Sequence, residues 1–400
     1  MSSDSKPDAP VRRAAWRFIL LVGLTNLFAD MTYEGARGVT GDFLGQLGAS
    51  GTIVGLVAGG GELTGYAVRS VSGIIADRTG RYWIDVWAGY IINMLCVPAL
   101  ALAREWPVAA GLMIGERLGR GIRRPAMSAI LSRAGQDLGS GRVFGINEAL
   151  DQIGGAIGPL IVAFVLARTQ NFHLAFAVLL IPALITLTVL AMATLASRGI
   201  ADKIERKATK SKIRLSRPFW IYAAGGALFA AGSADFALIA YHLGHAKIAS
   251  PAEISVWYSV AMVLAAVSAP LLGLVLDHIG VIAVAIAIAI SAAATPLVFL
   301  GRGWIVDVGI ATWGIGTAVQ DSLLVALVAK ATPEDRRSTA YGILDTIYGV
   351  AWLIGSAALG FLYDHFIWGL VALSVGAQLV AIPLFVGGAG KSGTDSANAV

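Results

Sequence analysis

Apolar positions in this chain come in long unbroken runs rather than in strict alternation or narrow stripes. A helix needs about 20 predominantly apolar residues to cross a bilayer. Runs of that length fall at roughly 16–38, 51–76, 82–103, 107–130, 142–168, 172–196, 218–243, 252–277, 280–300, 303–330, 338–363 and 366–387. They predict an all-α membrane fold with twelve transmembrane helices. Most connections are short. The exception, 197–217, is polar and carries eight basic residues. It divides the chain into an N-terminal six-helix bundle (1–196), a basic linker (197–217) and a C-terminal six-helix bundle (218–400).

The two parts repeat one another. GIIADRTGR at 73–81 is followed 200 residues later by GLVLDHIG at 273–280. FGINEALDQIGGAIGP at 144–159 is followed 197 residues later by YGILDTIYGVAWLIGS, which pairs Gly145 with Gly342, Glu148 with Asp345 and Gly158 with Gly355. LFADMTYE at 27–34 aligns with LFAAGSAD at 228–235 and sets Glu34 opposite Asp235. Three matches at nearly one offset predict pseudo-symmetric bundles, with a substrate site near the membrane midplane between them.

Composition agrees. The chain is 56% hydrophobic and 14% charged, against about 25% charged in soluble domains. Its 48 glycines follow no Gly-X-Y period and suit closely packed membrane helices. A single cysteine, Cys96, excludes a disulfide framework and a multi-cysteine metal site. The net charge of +5 does not point to nucleic acid, because the basic residues cluster in loops. With the N-terminus inside, Lys6, Arg12, Arg13, Arg17, Arg78, Arg81, Arg133, Arg142, the linker, Lys330, Arg336, Arg337 and Lys391 are cytoplasmic. Only Arg104, Arg168, Lys247 and Arg302 remain outside. The bias predicts a multi-pass protein of the cytoplasmic membrane with both termini inside, and a first span that is retained.

Several motifs together resemble the major facilitator superfamily over essentially the whole chain. The loop Gly73-x-x-x-Asp77-Arg78-x-Gly80-Arg81 resembles the superfamily's loop signature, and its second copy keeps Gly273, Asp277 and Gly280 without the basic pair. A carboxylate at a helix end beside arginines is suited to a conformational latch. Arg117-x-x-x-Gly121 in span 4 resembles a motif of the drug/proton antiporter branch. So does Gly145, Gly154 and Gly158-Pro159 in span 5, although Val162-Ala163 stands where a glycine pair is expected. Glycines four apart form a smooth strip for close packing, and Pro159 can bend the helix.

In a chain this poor in charge, ionisable residues inside spans are the candidate chemistry: Asp30, Glu34, Arg37, Glu62, Arg69, Glu116, Arg117, Arg120, Glu148, Asp151, Asp235, Asp321 and Asp345. Asp30, Glu34 and Arg37 are spaced i, i+4, i+7 and share one helical face. Two carboxyls on such a face suit proton exchange, and acidic residues on span 1 are what the family resemblance associates with proton coupling. Asp151 joins them as a candidate. Arg117 is expected to tune these acids or bind an anionic substrate group. Arg123 and Arg124 read as snorkelling toward headgroups. Glu148 with Arg120 or Arg123 is a candidate lock between the halves. Glu62, Glu148, Asp235, Trp313, Gln320, Asp321, Asp345, Tyr348 and Trp352 are expected, with Arg117, to line the substrate path, where the aromatic rings suit an aromatic or cationic solute.

These readings converge on secondary transport by alternating access, with proton-coupled efflux of a hydrophobic or amphipathic organic compound as the leading expectation. A proton-coupled importer, or a carrier of a metal ion or metal complex using Asp235, His242 and His245, is the rival. No nucleotide-binding loop, nucleophile triad or metal cluster suggests an enzyme, a primary pump, a cofactor or a resident metal. The expected partners are a small solute, protons and lipid, for a monomer.

Overall fold

In the computed structural model, the structure describes residues 9–134, 138, 140–197, 215–319, 324, 327–328, 332 and 337–395. Among these residues it is all-α, with no strand. The helices are α1 (Ala9–Arg37), α2 (Thr40–Gln46), α3 (Gly51–Thr79), α4 (Tyr82–Ala99), α5 (Trp106–Ala134), α6 (Ser140–Thr169), α7 (Phe172–Val178), α8 (Leu180–Ala196), α9 (Arg217–Gly232), α10 (Phe236–His245), α11 (Pro251–Ile279), α12 (Ile282–Phe299), α13 (Trp304–Ala318), α14 (Arg337–His365) and α15 (Ile367–Asp395).

The all-α membrane fold is as expected. Among the described residues, eight candidate spans are long and apolar enough to cross a bilayer by length and composition. Helices α1, α3 and α5 have 29 residues each, about 43 Å at 1.5 Å per residue. They are the spans that carry most of the intramembrane charge. Large apolar side chains cover the exterior, among them Ile84, Phe164, Ile181, Leu274 and Ile354, as a hydrocarbon solvent requires. Small residues let backbones meet inside.

Among the described residues, breaks fall in spans 6 and 7. Pro182 has no N–H to donate to the Val178 carbonyl, and α7 stops at Val178. Span 7, expected to be continuous, breaks between Gly232 and Phe236. There the Asp235 side chain accepts from the Ala237 N–H at 2.9 Å and caps α10. Irregular backbone at membrane depth needs partners for its freed groups. Ser374 Oγ donates to the Gly232 carbonyl at 2.5 Å, Gln378 Nε2 donates to it at 3.2 Å, and Trp313 Nε1 donates to the Ala234 carbonyl at 2.8 Å.

The chain forms two compact units, residues 1–36, 68–103 and 111–209, and residues 37–67, 104–110 and 210–400. In the first, Gly158 of α6 lies against α1: a Cβ there would sit 2.3 Å from the Met31 carbonyl oxygen. In the second, its sequence counterpart Gly355 of α14 lies against α9, where a Cβ would sit 2.3 Å from the Ala231 carbonyl oxygen. The duplicated motif thus makes the same helix contact twice. The loop glycines repeat too. Gly80 and Gly280 both follow a long helix with positive φ, +66° and +62°, a conformation that favours glycine.

Candidate functional site

The first unit holds a buried polar cluster built on one face of α1. Asn26, Asp30, Tyr33 and Glu34 recur at helical spacing and meet α4, α5 and α6. Close approach is set by glycine on both flanks. A Cβ on Gly154 of α6 would lie 2.2 Å from the Leu27 carbonyl oxygen, and one on Gly119 of α5 would lie 2.6 Å from the Asn93 nitrogen of α4.

The Tyr33 hydroxyl donates to Asp30 Oδ1 at 2.5 Å. The face of the same ring carries the Arg120 guanidinium, 3.8 Å from the ring centre. Arg120 reaches Glu34 Oε1 at 3.2 Å and Glu116 Oε1 at 3.5 Å. Glu116 also pairs with Arg117 Nε at 3.3 Å and accepts from Asn93 Nδ2 at 2.8 Å. Below this group Arg123 is only 4% exposed. It lies over the Tyr90 ring at 4.3 Å and donates to Asn26 Oδ1 at 3.4 Å. Tyr90 donates to the same Asn26 oxygen, and Asn26 donates to Asn147 Oδ1 at 3.1 Å. Asp151 of α6 stands close enough to Asp30 for the two carboxyls to repel, and its Oδ1 is buried without a hydrogen bond.

The second unit gathers a smaller charged group. Arg37 donates to Glu62 Oε1 at 2.8 Å and lies 4.0 Å from Asp235 Oδ2 at the break in span 7. Beside the break, Phe236 packs on Tyr258 at 4.6 Å and on Trp313 at 5.1 Å between ring centres. Tyr348 packs edge-on to Tyr66 and next to Trp352, both on one face of α14.

The expected residues therefore divide. Asp30, Glu34 and Asp151 come together in the first unit. Arg37 meets Glu62 and Asp235. Arg120, three residues beyond Arg117, pairs with Glu34, and Arg117 pairs with Glu116. Arg123 does not snorkel; it is buried, whereas Arg124 is exposed. Glu148 is exposed and accepts from Gln152 at 2.8 Å, so it is not the expected partner of Arg120. His242 shares a hydrogen bond with the Tyr363 hydroxyl at 3.1 Å and packs on Phe299, and His245 stacks on Tyr241. Among the described residues no three His, Cys, Asp or Glu side chains converge on a metal position. Gly145 meets no neighbour within 4 Å, unlike Gly154 and Gly158. Gly73 faces Pro125 at 3.5 Å, and Arg78, Arg81 and Asp277 are exposed. Gln320, Asp321 and the Asp77 side chain lie outside the description.

Tyr33, Tyr90, Asn26, Asn93 and Asn147 were not singled out by sequence. The signal was present on α1, where a polar residue recurs every three or four positions from Asn26 to Arg37.

The family model described as Major Facilitator Superfamily matches residues 22–244 and 226–390. The chain belongs to the major facilitator superfamily. It is 36% identical over 386 residues to an uncharacterised protein of Mycobacterium tuberculosis, covering 92% of each chain. An uncharacterised MFS-type transporter of Methanocaldococcus jannaschii is 25% identical over 382 residues, covering 90% of this chain and 94% of that one. A class D tetracycline resistance protein of Salmonella ordonez is 29% identical over 116 residues, 29% of each chain. Among solved structures, a POT family transporter in complex with 5-aminolevulinic acid matches with a TM-score of 0.73 at 14% identity, covering 92% of this chain and 95% of that one. As a member of the superfamily the chain is a multi-pass transport protein and not an enzyme.

Proposed function

We propose that this transporter exports a hydrophobic or amphipathic organic compound in exchange for protons. The observation that carries the reading is the Asp30–Tyr33–Arg120–Glu34 group: a half-buried carboxyl held by a phenol, one helical turn from an ion pair that needs no carboxylate from Asp30. Asp30 takes up and releases the proton. Glu34 and Arg120 form the charge pair that rearranges with it, and Asp151 is a second acidic stop. Buried ionisable groups in membrane proteins mark such relays. The aromatic group of Phe236, Tyr258 and Trp313, with Glu62, Asp235, Asp345, Tyr348 and Trp352, suits an amphipathic solute that is neutral or cationic.

Alternating access would move two six-helix halves, 1–196 and 218–400, with both termini in the cytoplasm of a cell whose inner membrane holds the protein as a monomer. The Asp77–Arg78 loop serves as the latch. Export is favoured by the Gly145–Gly154–Gly158-Pro159 motif and by the partial match to a tetracycline resistance protein. The test uses everted membrane vesicles with an imposed pH gradient followed by a quenching dye. Ethidium, tetraphenylphosphonium and tetracycline are added in turn. Faster collapse of the gradient with at least one probe, relative to control membranes, is expected. Collapse only when the probe is loaded in the lumen and leaves together with protons would identify an importer instead.

A further inference from the structure

Tyr33 makes two contacts of different kinds with two different charges. Its hydroxyl donates to Asp30 Oδ1 at 2.5 Å, and its ring lies under Arg120 at 3.8 Å. It is 6% exposed, so neither contact competes with bulk water. Arg120 also makes ionic contacts, 3.2 Å to Glu34 and 3.5 Å to Glu116, with its guanidinium lying over the ring. A phenol donates more strongly to a carboxylate than to a neutral carboxyl. The ring is therefore held firmly when Asp30 is ionised and loosely when it is protonated.

The geometry points to Tyr33 as the positioning residue that couples the protonation of Asp30 to the Arg120–Glu34 pair. The hydroxyl senses the proton and the ring carries the response to the arginine. Asp30 is faced by Tyr33 and Glu34 from its own helix, by Tyr90 from α4, by Arg120 and Arg123 from α5, and by Asp151 from α6. Tyr33 makes both a hydrogen bond to Asp30 and a ring contact with Arg120. Among these groups the direct Coulomb effects remain when the hydroxyl alone is removed, which allows the two routes to be separated.

The inference rests on Asp30 as the proton carrier, and the test reads protonation without requiring a substrate. Purified protein in lipid nanodiscs is titrated with pH while carboxyl stretching bands are followed by infrared difference spectroscopy. Bands are assigned by their loss in Asp30→Asn and Glu34→Gln. Tyr33→Phe keeps the ring and removes the donor. It is expected to move the Asp30 band's midpoint about one pH unit to the alkaline side and to leave the Glu34 band in place. Tyr33→Leu removes the ring as well and is expected to move both. An Asp30 band unmoved in Tyr33→Phe, or a Glu34 band that behaves alike in the Phe and Leu variants, overturns the inference alone. Absence of any Asp30-dependent band overturns the proton-carrier reading with it.

Discussion

Gly158 sits so close to Met31 that a methyl group on it would overlap the Met31 carbonyl oxygen, 2.3 Å away. The neighbour is backbone and cannot rotate aside. Gly158→Ala must therefore push α6 from α1 and loosen the cluster they share, at a cost of about 1–3 kcal/mol. Gly145→Ala, in the same motif but with no neighbour within 4 Å, should be neutral or slightly stabilising, because alanine favours helix. Thermal unfolding of both purified variants checks the contrast; equal midpoints would remove the packing argument.

Arg120 and Glu34 should behave as a unit. Removing either partner leaves the other charge buried, which costs more than losing both. Arg120→Gln and Glu34→Gln should each lower transport at least tenfold. The double variant should fall well short of the product of the two losses. Simple additivity in initial rates would show that the two residues act separately.

Asp42 gives the protein a pH dependence outside the spans. It lies in α2, is buried, packs its carboxyl against Gly244 and has an Oδ2 with no hydrogen bond. Burial pushes it up from 3.8 to about 6, partly offset by a hydrogen bond from Gln46. The folded state thus holds the proton more tightly than the unfolded chain. Its contribution to stability is greatest below pH 3.8, declines as pH rises to about 6, and is flat above it. The decline amounts to about 3 kcal/mol at most. Asp42→Asn should abolish this contribution and melt higher than the parent at pH 7.5. Parallel melting curves for the two proteins between pH 4.5 and 7.5 would contradict it.

Asp364 at the end of α14 caps the start of α3 from far along the chain. It accepts from the Gly51 and Thr52 N–H groups, both at 2.8 Å, and from the Thr52 hydroxyl at 2.6 Å. Below the cap, Gly55 packs against the Ser356 carbonyl and Gly360 against that of Gly51. Asp364→Ala should cost about 1–2 kcal/mol, as loss of a helix cap does, and Asp364→Asn less. Hydrogen exchange at the first turn of α3 reports the change directly.

Much of this architecture was legible in the sequence because the bilayer imposes a single length on every span. The repeat was legible for the same reason that it is used twice: Gly158 and Gly355 must both be small where a helix meets backbone. The interruption at Ser233–Asp235 was hidden, since its freed carbonyls are satisfied by Ser374, Gln378 and Trp313 from distant segments. The site was half visible. Charges in spans announce themselves, but which arginine meets Glu34 depends on the rotation of α5, and a three-residue difference separates Arg117 from Arg120. Neutral partners such as Tyr33 and Asn26 gave no charge signal, although their spacing with Asp30 placed them on its face.

The central claim is that proton exchange at Asp30 drives the solute. Everted vesicles containing wild type or Asp30→Asn are given the same pH gradient and the probe that wild type moves most strongly. The account predicts gradient-driven probe uptake in wild type and at least a tenfold loss in Asp30→Asn, with the variant's thermal midpoint preserved. Uptake by Asp30→Asn at the wild-type rate under that gradient would contradict it.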